Sequence, residues 1–145
     1  MKVQIKNLQK TKKIDLTRIQ KNINRIFELL SLSPESISFV FCDNECIKRL
    51  NKRYLGKSSP TDVIAFSLRA DGEGEFLGEV VISIDETIKN SKKFKTTFFG
   101  ELILYMIHGV LHLLGYDDKN ESCRCRMRKK EQELMKELTL DGHKR

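Results

Sequence analysis

The sequence predicts an α+β protein in which one mixed sheet of about four strands packs against helices within a single domain, residues 1–145. Three observations support this prediction. The chain has 145 residues, the usual length of one domain. Its first half alternates short β-branched or aromatic segments with helical patterns. From about residue 85 onward, apolar residues recur mainly at helical spacing. The predicted order is β-α-β-α-β-β-α-α-α.

Each predicted element has a local signal. Residues 2–8 alternate polar and apolar side chains, as a half-buried strand does. Asp15 is suited to cap an amphipathic helix that runs to about residue 31, and Asp43 is suited to cap a shorter helix that ends near Tyr54. The remaining predicted elements are strands at 37–42, 61–68 and 77–84, helices at about 85–93, 97–114 and 120–138, and a frayed tail at 141–145.

The composition argues against several classes of protein. The longest apolar run, Leu102 to Ile107, has six residues, whereas a membrane span needs about 20. The N-terminal sequence lacks the apolar segment of a secretory signal, so we expect a cytoplasmic protein without membrane association, whose cysteines stay reduced. The net charge of +7 indicates an acidic partner such as nucleic acid. Lysine and arginine concentrate in residues 1–21, 89–95 and 119–130.

A pair of histidines lies within the most apolar predicted helix. His108 and His112 are four residues apart, so they share one helical face. Gly115 is suited to end the helix, and Asp118 follows three residues later. This spacing predicts a metal site formed by His108, His112 and Asp118. Three protein ligands leave a fourth position open, as in catalytic zinc sites.

Other interpretations of these residues stay open. The two histidines are also compatible with core or surface positions without a metal. Asp117 is a candidate catalytic residue, or else a carboxylate that caps a turn or orients a ligand. Glu101 lies two turns before His108 and either accepts a proton or simply favours the first turn of the helix. Gly109 stands where zinc peptidases carry a general-base Glu, which argues against peptide hydrolysis.

The cysteines offer a rival metal site that we disfavour. Cys42 and Cys46 together with Cys123 and Cys125 have the number of thiols needed for a structural zinc site. Two residues apart on a helix, however, Cys123 and Cys125 point about 200° away from each other.

The segment from His108 to Asp118 resembles the motif His-Gly-x-Leu-His-Leu-x-Gly-Tyr-Asp-His of YbeY-type bacterial endoribonucleases, and departs from it at the last position. Residues 50–54 with 60–66, and residues 77–83, resemble two further blocks of that family. The resemblance covers about residues 37–135. It implies one Zn²⁺ per chain in a cleft, and single-stranded RNA as substrate. It further implies maturation of 16S rRNA 3′ ends, a part in ribosome quality control, and ribosomal or small-subunit assembly partners.

Two departures from the family affect the expected chemistry. Asp118 replaces a histidine and adds a negative charge, so a bound metal should acidify its water less and should better tolerate harder ions such as Mn²⁺. Leu55 replaces an arginine that the family is thought to use for the substrate phosphate. Arg53 or Lys57 is the expected replacement. Arg124 and Arg128, in the basic segment that follows the presumed metal ligands, are further candidate phosphate-binding residues; each of the four is alternatively a solvated surface charge.

The sequence therefore predicts a metal-dependent, single-strand-specific endoribonuclease, with water or the RNA 2′-hydroxyl as nucleophile. The alternative is a non-catalytic RNA- or ribosome-binding assembly factor with a structural metal. A metal hydrolase acting on another substrate, such as a peptide, is the least favoured hypothesis. Phe94, Phe98 and Phe99 lie within or beside a basic segment, where they either stack on bases or pack in the core.

Overall fold

Four strands form one mixed sheet in the computed structural model, which describes residues 2–32, 36–56, 61–67 and 78–138. The strands are β1 (Lys2–Asn7), β2 (Ser36–Cys42), β3 (Val63–Ser67) and β4 (Gly78–Ser83), in the spatial order β1-β2-β4-β3. β1, β2 and β4 are parallel, and β3 pairs antiparallel with β4. The predicted mixed sheet is confirmed. The tail at 141–145 lies outside the described residues.

Five helices follow or connect these strands. They are α1 (Leu16–Leu29), α2 (Asn44–Leu55), α3 (Ile84–Lys93), α4 (Phe98–Leu113) and α5 (Glu121–Glu137). The element order is β1-α1-β2-α2-β3-β4-α3-α4-α5, which confirms the predicted order.

Each of the five helices begins at a side chain that caps its first turn. In every case the capping oxygen accepts a hydrogen bond from the backbone N–H three residues later; the capping residues are Asp15, Asp43, Ser83, Thr97 and Asn120. A cap of this kind contributes about 1 kcal/mol, because it satisfies a backbone donor that has no partner inside the helix. The predicted caps at Asp15 and Asp43 are confirmed.

The two faces of the sheet support two apolar clusters. Alternate residues of β2 point to opposite faces, so Phe39 and Phe41 join α1, α3, α4 and α5 in the main core. Val40 and Cys42 join Ile47 of α2 in a smaller cluster on the other face. Helix α4 is the central helix of the main core, and ten of its sixteen residues are buried. The predicted burial of this helix is thus confirmed.

Helix α4 lies in close contact with β4 at Gly109. A Cβ atom at this position would stand 2.4 Å from Cγ1 and 2.9 Å from Cγ2 of Val80. Only glycine therefore allows the helix to approach the sheet so closely.

Among the described helices, none is by itself both long and apolar enough to cross a membrane. Helices α3 and α4 satisfy that criterion only when taken together, and a bend of 118° separates them.

Candidate metal centre on helix α4

His108 and His112 bring two ring nitrogens together on one face of α4. Their Nε2 atoms are 3.1 Å apart, and the rings meet edge to face with centroids 4.7 Å apart. Both residues are half-buried near the C-terminal end of the helix. The structure therefore places together the two histidines that the sequence singled out.

A carboxylate from helix α5 holds the first histidine. Glu131 Oε1 lies 2.7 Å from Nδ1 of His108, and only 14% of the Glu131 side chain is exposed. A carboxylate at Nδ1 accepts the ring N–H, so Nε2 is left with its lone pair directed towards His112. Carboxylates orient metal-binding histidines in this way.

Glu131 was missed by the sequence analysis, although α5 contains a signal for it. Met127 and Leu134 are the buried residues of this otherwise highly charged helix. Glu131 follows Met127 by four residues and precedes Leu134 by three, so it lies on the same face. A carboxylate on the buried face of a helix usually has a partner there.

The environment keeps His112 neutral. Burial lowers the pKa of this imidazole below its ordinary value of 6.5, and the neighbouring His108 lowers it further. The carboxylates of Asp118, Glu131 and Asp117 act in the opposite direction but do not outweigh these two effects. A neutral imidazole is the form that binds a metal, so His112 is suited to be a ligand at neutral pH.

The spacing of the two nitrogens fits a shared divalent ion. Zinc–nitrogen bonds of about 2.0–2.1 Å and a nitrogen separation of 3.1 Å give an angle of about 95–100° at the ion. This angle is near that of a tetrahedral site. The histidine pair and its supporting carboxylate therefore fit one zinc-like ion.

Asp118, the third predicted ligand, does not complete a cluster in the described part of the chain. No three side chains of His, Cys, Asp or Glu converge on one point within the described ranges. Asp118 is exposed, and its backbone carbonyl accepts a hydrogen bond of 3.2 Å from Nη1 of Arg124. Ligation by Asp118 stays a prediction.

The other two carboxylates singled out in the sequence make local contacts. Asp117 accepts a hydrogen bond from the Lys119 backbone N–H at 3.1 Å, and this bond together with one from the Cys123 thiol lowers the pKa of Asp117. Glu101 is fully buried in the first turn of α4 and accepts a hydrogen bond of 2.8 Å from the Thr96 hydroxyl. These contacts favour structural roles for both carboxylates.

The candidate phosphate-binding residues lie on two helices. Arg53 is exposed in the last turn of α2, whereas Lys57 and the side chain of Leu55 lie outside the described residues. Arg124 and Arg128 are exposed on α5, where Arg128 is three residues from Glu131. Through its bond to Asp118, Arg124 stands beside the segment that follows the histidine helix.

Comparison with known proteins identifies the family. The family model described as "Endoribonuclease YbeY" matches residues 4–139. The chain belongs to the YbeY endoribonuclease family. A relative from Syntrophus aciditrophicus, named endoribonuclease YbeY, is 41% identical over 144 residues, covering 92% of this chain and 88% of the relative. A second relative, the endoribonuclease YbeY from Carboxydothermus hydrogenoformans, is 37% identical over 142 residues, which cover 95% of this chain and 98% of the relative.

A solved structure supports the same fold across the whole YbeY chain. A solution structure of a Thermotoga maritima protein superimposes with a TM-score of 0.69 at 25% identity, and 99% of each chain is covered. Together with the family match, this confirms both the resemblance seen in the sequence and the α+β class. The enzyme class predicted from the resemblance, an endoribonuclease, agrees with the name that the relatives carry.

Proposed function

We propose that this YbeY protein cleaves single-stranded RNA at the histidine pair of α4, with a divalent ion, zinc first among the candidates, bound by His108, His112 and Asp118. One observation carries the proposal. The Nε2 atoms of His108 and His112 converge to 3.1 Å while Glu131 engages the opposite nitrogen of His108. This arrangement makes two oriented nitrogen donors available in a chain of an endoribonuclease family.

The residues around the histidine pair have different proposed roles. Glu131 fixes the tautomer of His108, and burial keeps His112 unprotonated. Arg124 and Arg128 are placed to attract the phosphates of the RNA strand. When bound, a divalent ion supplies positive charge for the phosphoryl oxygens and eases deprotonation of the nucleophile, whether water or the 2′-hydroxyl.

The family membership and the net charge support a proposal for the substrate and its setting. The relatives are named endoribonucleases, and the chain carries a net charge of +7, which favours a polyanionic substrate. On these grounds we propose ribosomal RNA as the substrate, with the 3′ end of 16S rRNA as the target. The proposed partners are ribosomal or small-subunit assembly components, and the proposed location is the cytoplasm.

The test combines metal analysis with RNA cleavage. Wild-type protein should carry about one divalent ion per chain, and His108→Ala and His112→Ala should each lose both the ion and the cleavage of single-stranded RNA. Asp118→Ala should weaken metal binding, whereas Asp118→His should retain it. Wild-type protein that binds no metal would contradict the proposal. RNA binding that survives in His112→Ala, with no turnover by the wild type, would instead indicate an assembly factor.

A further inference from the structure

Three cation–aromatic contacts lie around the N-terminal end of α4. Lys12 Nζ lies 5.0 Å from the ring centroid of Phe98, and the Arg18 guanidinium carbon lies 3.7 Å from that of Phe99. Lys93 Nζ lies 5.4 Å from that of Phe94. Two of the contacts link other segments to the first turn of α4: Lys12 belongs to the segment before α1, and Arg18 to the first turn of α1. The third lies within the turn between α3 and α4, where Lys93 and Phe94 are neighbours in the chain. We name the group the basic–aromatic surface; its members are Lys12, Arg18, Lys93, Phe94, Phe98 and Phe99.

The rings of this surface support its cations. Phe98 and Phe99 are half-buried and pack against the main core, while Lys12 and Arg18 lie over them. Stacking on a ring occupies the flat face of a guanidinium, so the N–H donors in its plane remain available for a phosphate. The rings thereby hold two cations in place at the protein surface.

Among the described residues, Lys12, Arg18 and Lys93 of this surface form no side-chain ion pair. Within the described ranges, side-chain ion pairs join Arg25 to Glu28, His108 to Glu131 and Lys130 to Glu133, all outside this surface. The carboxylate of Asp15 accepts a hydrogen bond from the backbone N–H of Arg18 as a helix cap. Exposed lysines on the same segments add to the charge; they are Lys10, Lys13, Lys92 and Lys95.

The basic–aromatic surface is separate from the histidine pair. An α-helix rises 1.5 Å per residue, so Phe98 and Phe99 lie about 14–21 Å along α4 from His108 and His112. An anion that contacts both places must be an extended polymer. At roughly 3.4 Å per stacked nucleotide, about four to six nucleotides of a single strand span this distance.

From this placement we infer that the basic–aromatic surface is a second RNA-binding site, which holds the phosphates of the strand flanking the scissile bond. The inference rests on the proposed function for the nature of the polymer. Phe94 has 39% of its surface exposed beside Lys93 and offers an aromatic contact for a base. The exposed large apolar side chains among the described residues are Phe94, Leu8 and Leu16, which come from three different segments. These scattered side chains do not supply the broad apolar face by which a helix enters a lipid surface, so RNA is favoured over a membrane.

The experiment measures RNA binding without turnover. Fluorescence anisotropy of an unstructured RNA of about 15 nucleotides, in EDTA, compares Lys12→Gln/Arg18→Gln with Lys48→Gln/Arg49→Gln. The control pair removes the same charge from exposed positions on α2, which packs on the other face of the sheet. The surface variant should bind RNA about ten- to thirtyfold more weakly near 0.1 M salt. The slope of log binding constant against log salt concentration should also become shallower by about 1.4, because each lost phosphate contact reduces it by about 0.7. The control should change less than twofold.

Cleavage kinetics give a second measurement. The surface variant should raise KM for the long RNA with kcat unchanged. It should leave a substrate of about two nucleotides unaffected, because that substrate is too short to reach both places. Far-UV circular dichroism checks folding, and Lys92→Gln/Lys93→Gln replaces the first variant if that one does not fold.

Equal losses of RNA binding in the surface and control variants, or no loss in either, would overturn the inference. Loss of binding to phosphatidylglycerol vesicles with unchanged RNA binding would also overturn it, in favour of a membrane surface. Since binding is measured in EDTA, an inactive wild type that still shows the selective loss would refute the proposed function and leave this site standing.

Discussion

At the scale of single residues, Gly109 sets how closely the histidine helix approaches the sheet. Replacing Gly109 by alanine would place a methyl group 2.4 Å from Val80 Cγ1, so the helix or Val80 must move. We expect Gly109→Ala to lower the free energy of unfolding by about 1–3 kcal/mol, measured by urea denaturation. The double variant Gly109→Ala/Val80→Ala should lose less unfolding free energy than the sum of the two single variants, because alanine at position 80 makes room for the new methyl group. An unchanged urea midpoint for Gly109→Ala would show that the structure has room for a methyl group between position 109 and Val80.

The contact between Gly109 and Val80 also argues against peptide hydrolysis. The zinc-peptidase general base would have to stand at position 109, where even a Cβ atom meets Val80. The missing glutamate is therefore a requirement of packing as well as a difference in mechanism. This weakens the peptide-hydrolase hypothesis further.

Titration of His112 gives a pH prediction for the metal-free protein. Its folded-state pKa lies below 6.5 because of burial and His108, so the unfolded chain takes up this proton at a higher pH than the folded chain does. The contribution of His112 to stability is thus full above about pH 6.5 and is lost as the pH falls towards the folded-state pKa. NMR of the ring protons should show the lowered pKa, and urea denaturation between about pH 7 and pH 5 should destabilise wild type more than His112→Gln. If the stability of wild type and of His112→Gln depended equally on pH, this prediction would be contradicted.

At the scale of elements, α5 supplies the support that α4 needs. Glu131→Gln replaces the carboxylate at Nδ1 of His108 with an amide, so the ring orientation and tautomer are less firmly held. We expect zinc affinity to fall by about 10–100-fold, measured by competition with a chromophoric chelator.

Glu133→Gln is the matched control on the same helix. Glu133 is 63% exposed and pairs with Lys130 on the surface at 3.6 Å. Its substitution should leave zinc affinity unchanged, because exposed ion pairs contribute little. If both variants lose affinity to the same extent, the effect belongs to the charge of α5 and not to the orientation of His108.

The elements themselves were predictable because their signals are local. The caps Asp15 and Asp43, the alternation in β1 and the histidine spacing on α4 all lie within a few residues of the structure they specify. The pattern of α5 places Glu131 on its buried face, but the partner of Glu131 is 23 residues away in the sequence, so the pattern does not identify His108 as that partner. The exposure of Asp118 and the contact of its backbone carbonyl with Arg124 of α5 likewise depend on tertiary packing.

At the scale of the whole molecule, the sheet and α4 form the most protected region. β2 and β4 are the central strands, and α4 packs directly on β4. Amide hydrogen exchange should therefore be slowest in β2, β4 and α4, and faster in the edge strands β1 and β3. Exchange in α4 as fast as in α1 would indicate that the histidine helix opens independently of the sheet.

The charge of the molecule is distributed in a way that the sequence only partly revealed. Residues 1–21 and 89–95 are separate basic segments in the sequence. The fold places Lys12 and Arg18 of the first segment against Phe98 and Phe99 of α4, which begins three residues after the second segment ends. Whether those rings stack on bases or pack in the core was undecided from the sequence alone. Phe98 and Phe99 turn out to pack on the core and to carry cations on their outer faces.

The edge strand β1 has a consequence for how the molecules behave at high concentration. Among the described strands β1 pairs with β2 alone, so its outer edge presents unpaired backbone groups. Val3 and Ile5 face the main core, while Gln4 and Lys6 are exposed. A short, lysine-bearing edge resists the addition of a strand from another copy, since the incoming chain would have to bury that charge. Replacing Lys6 with valine should therefore weaken this protection against edge-to-edge association.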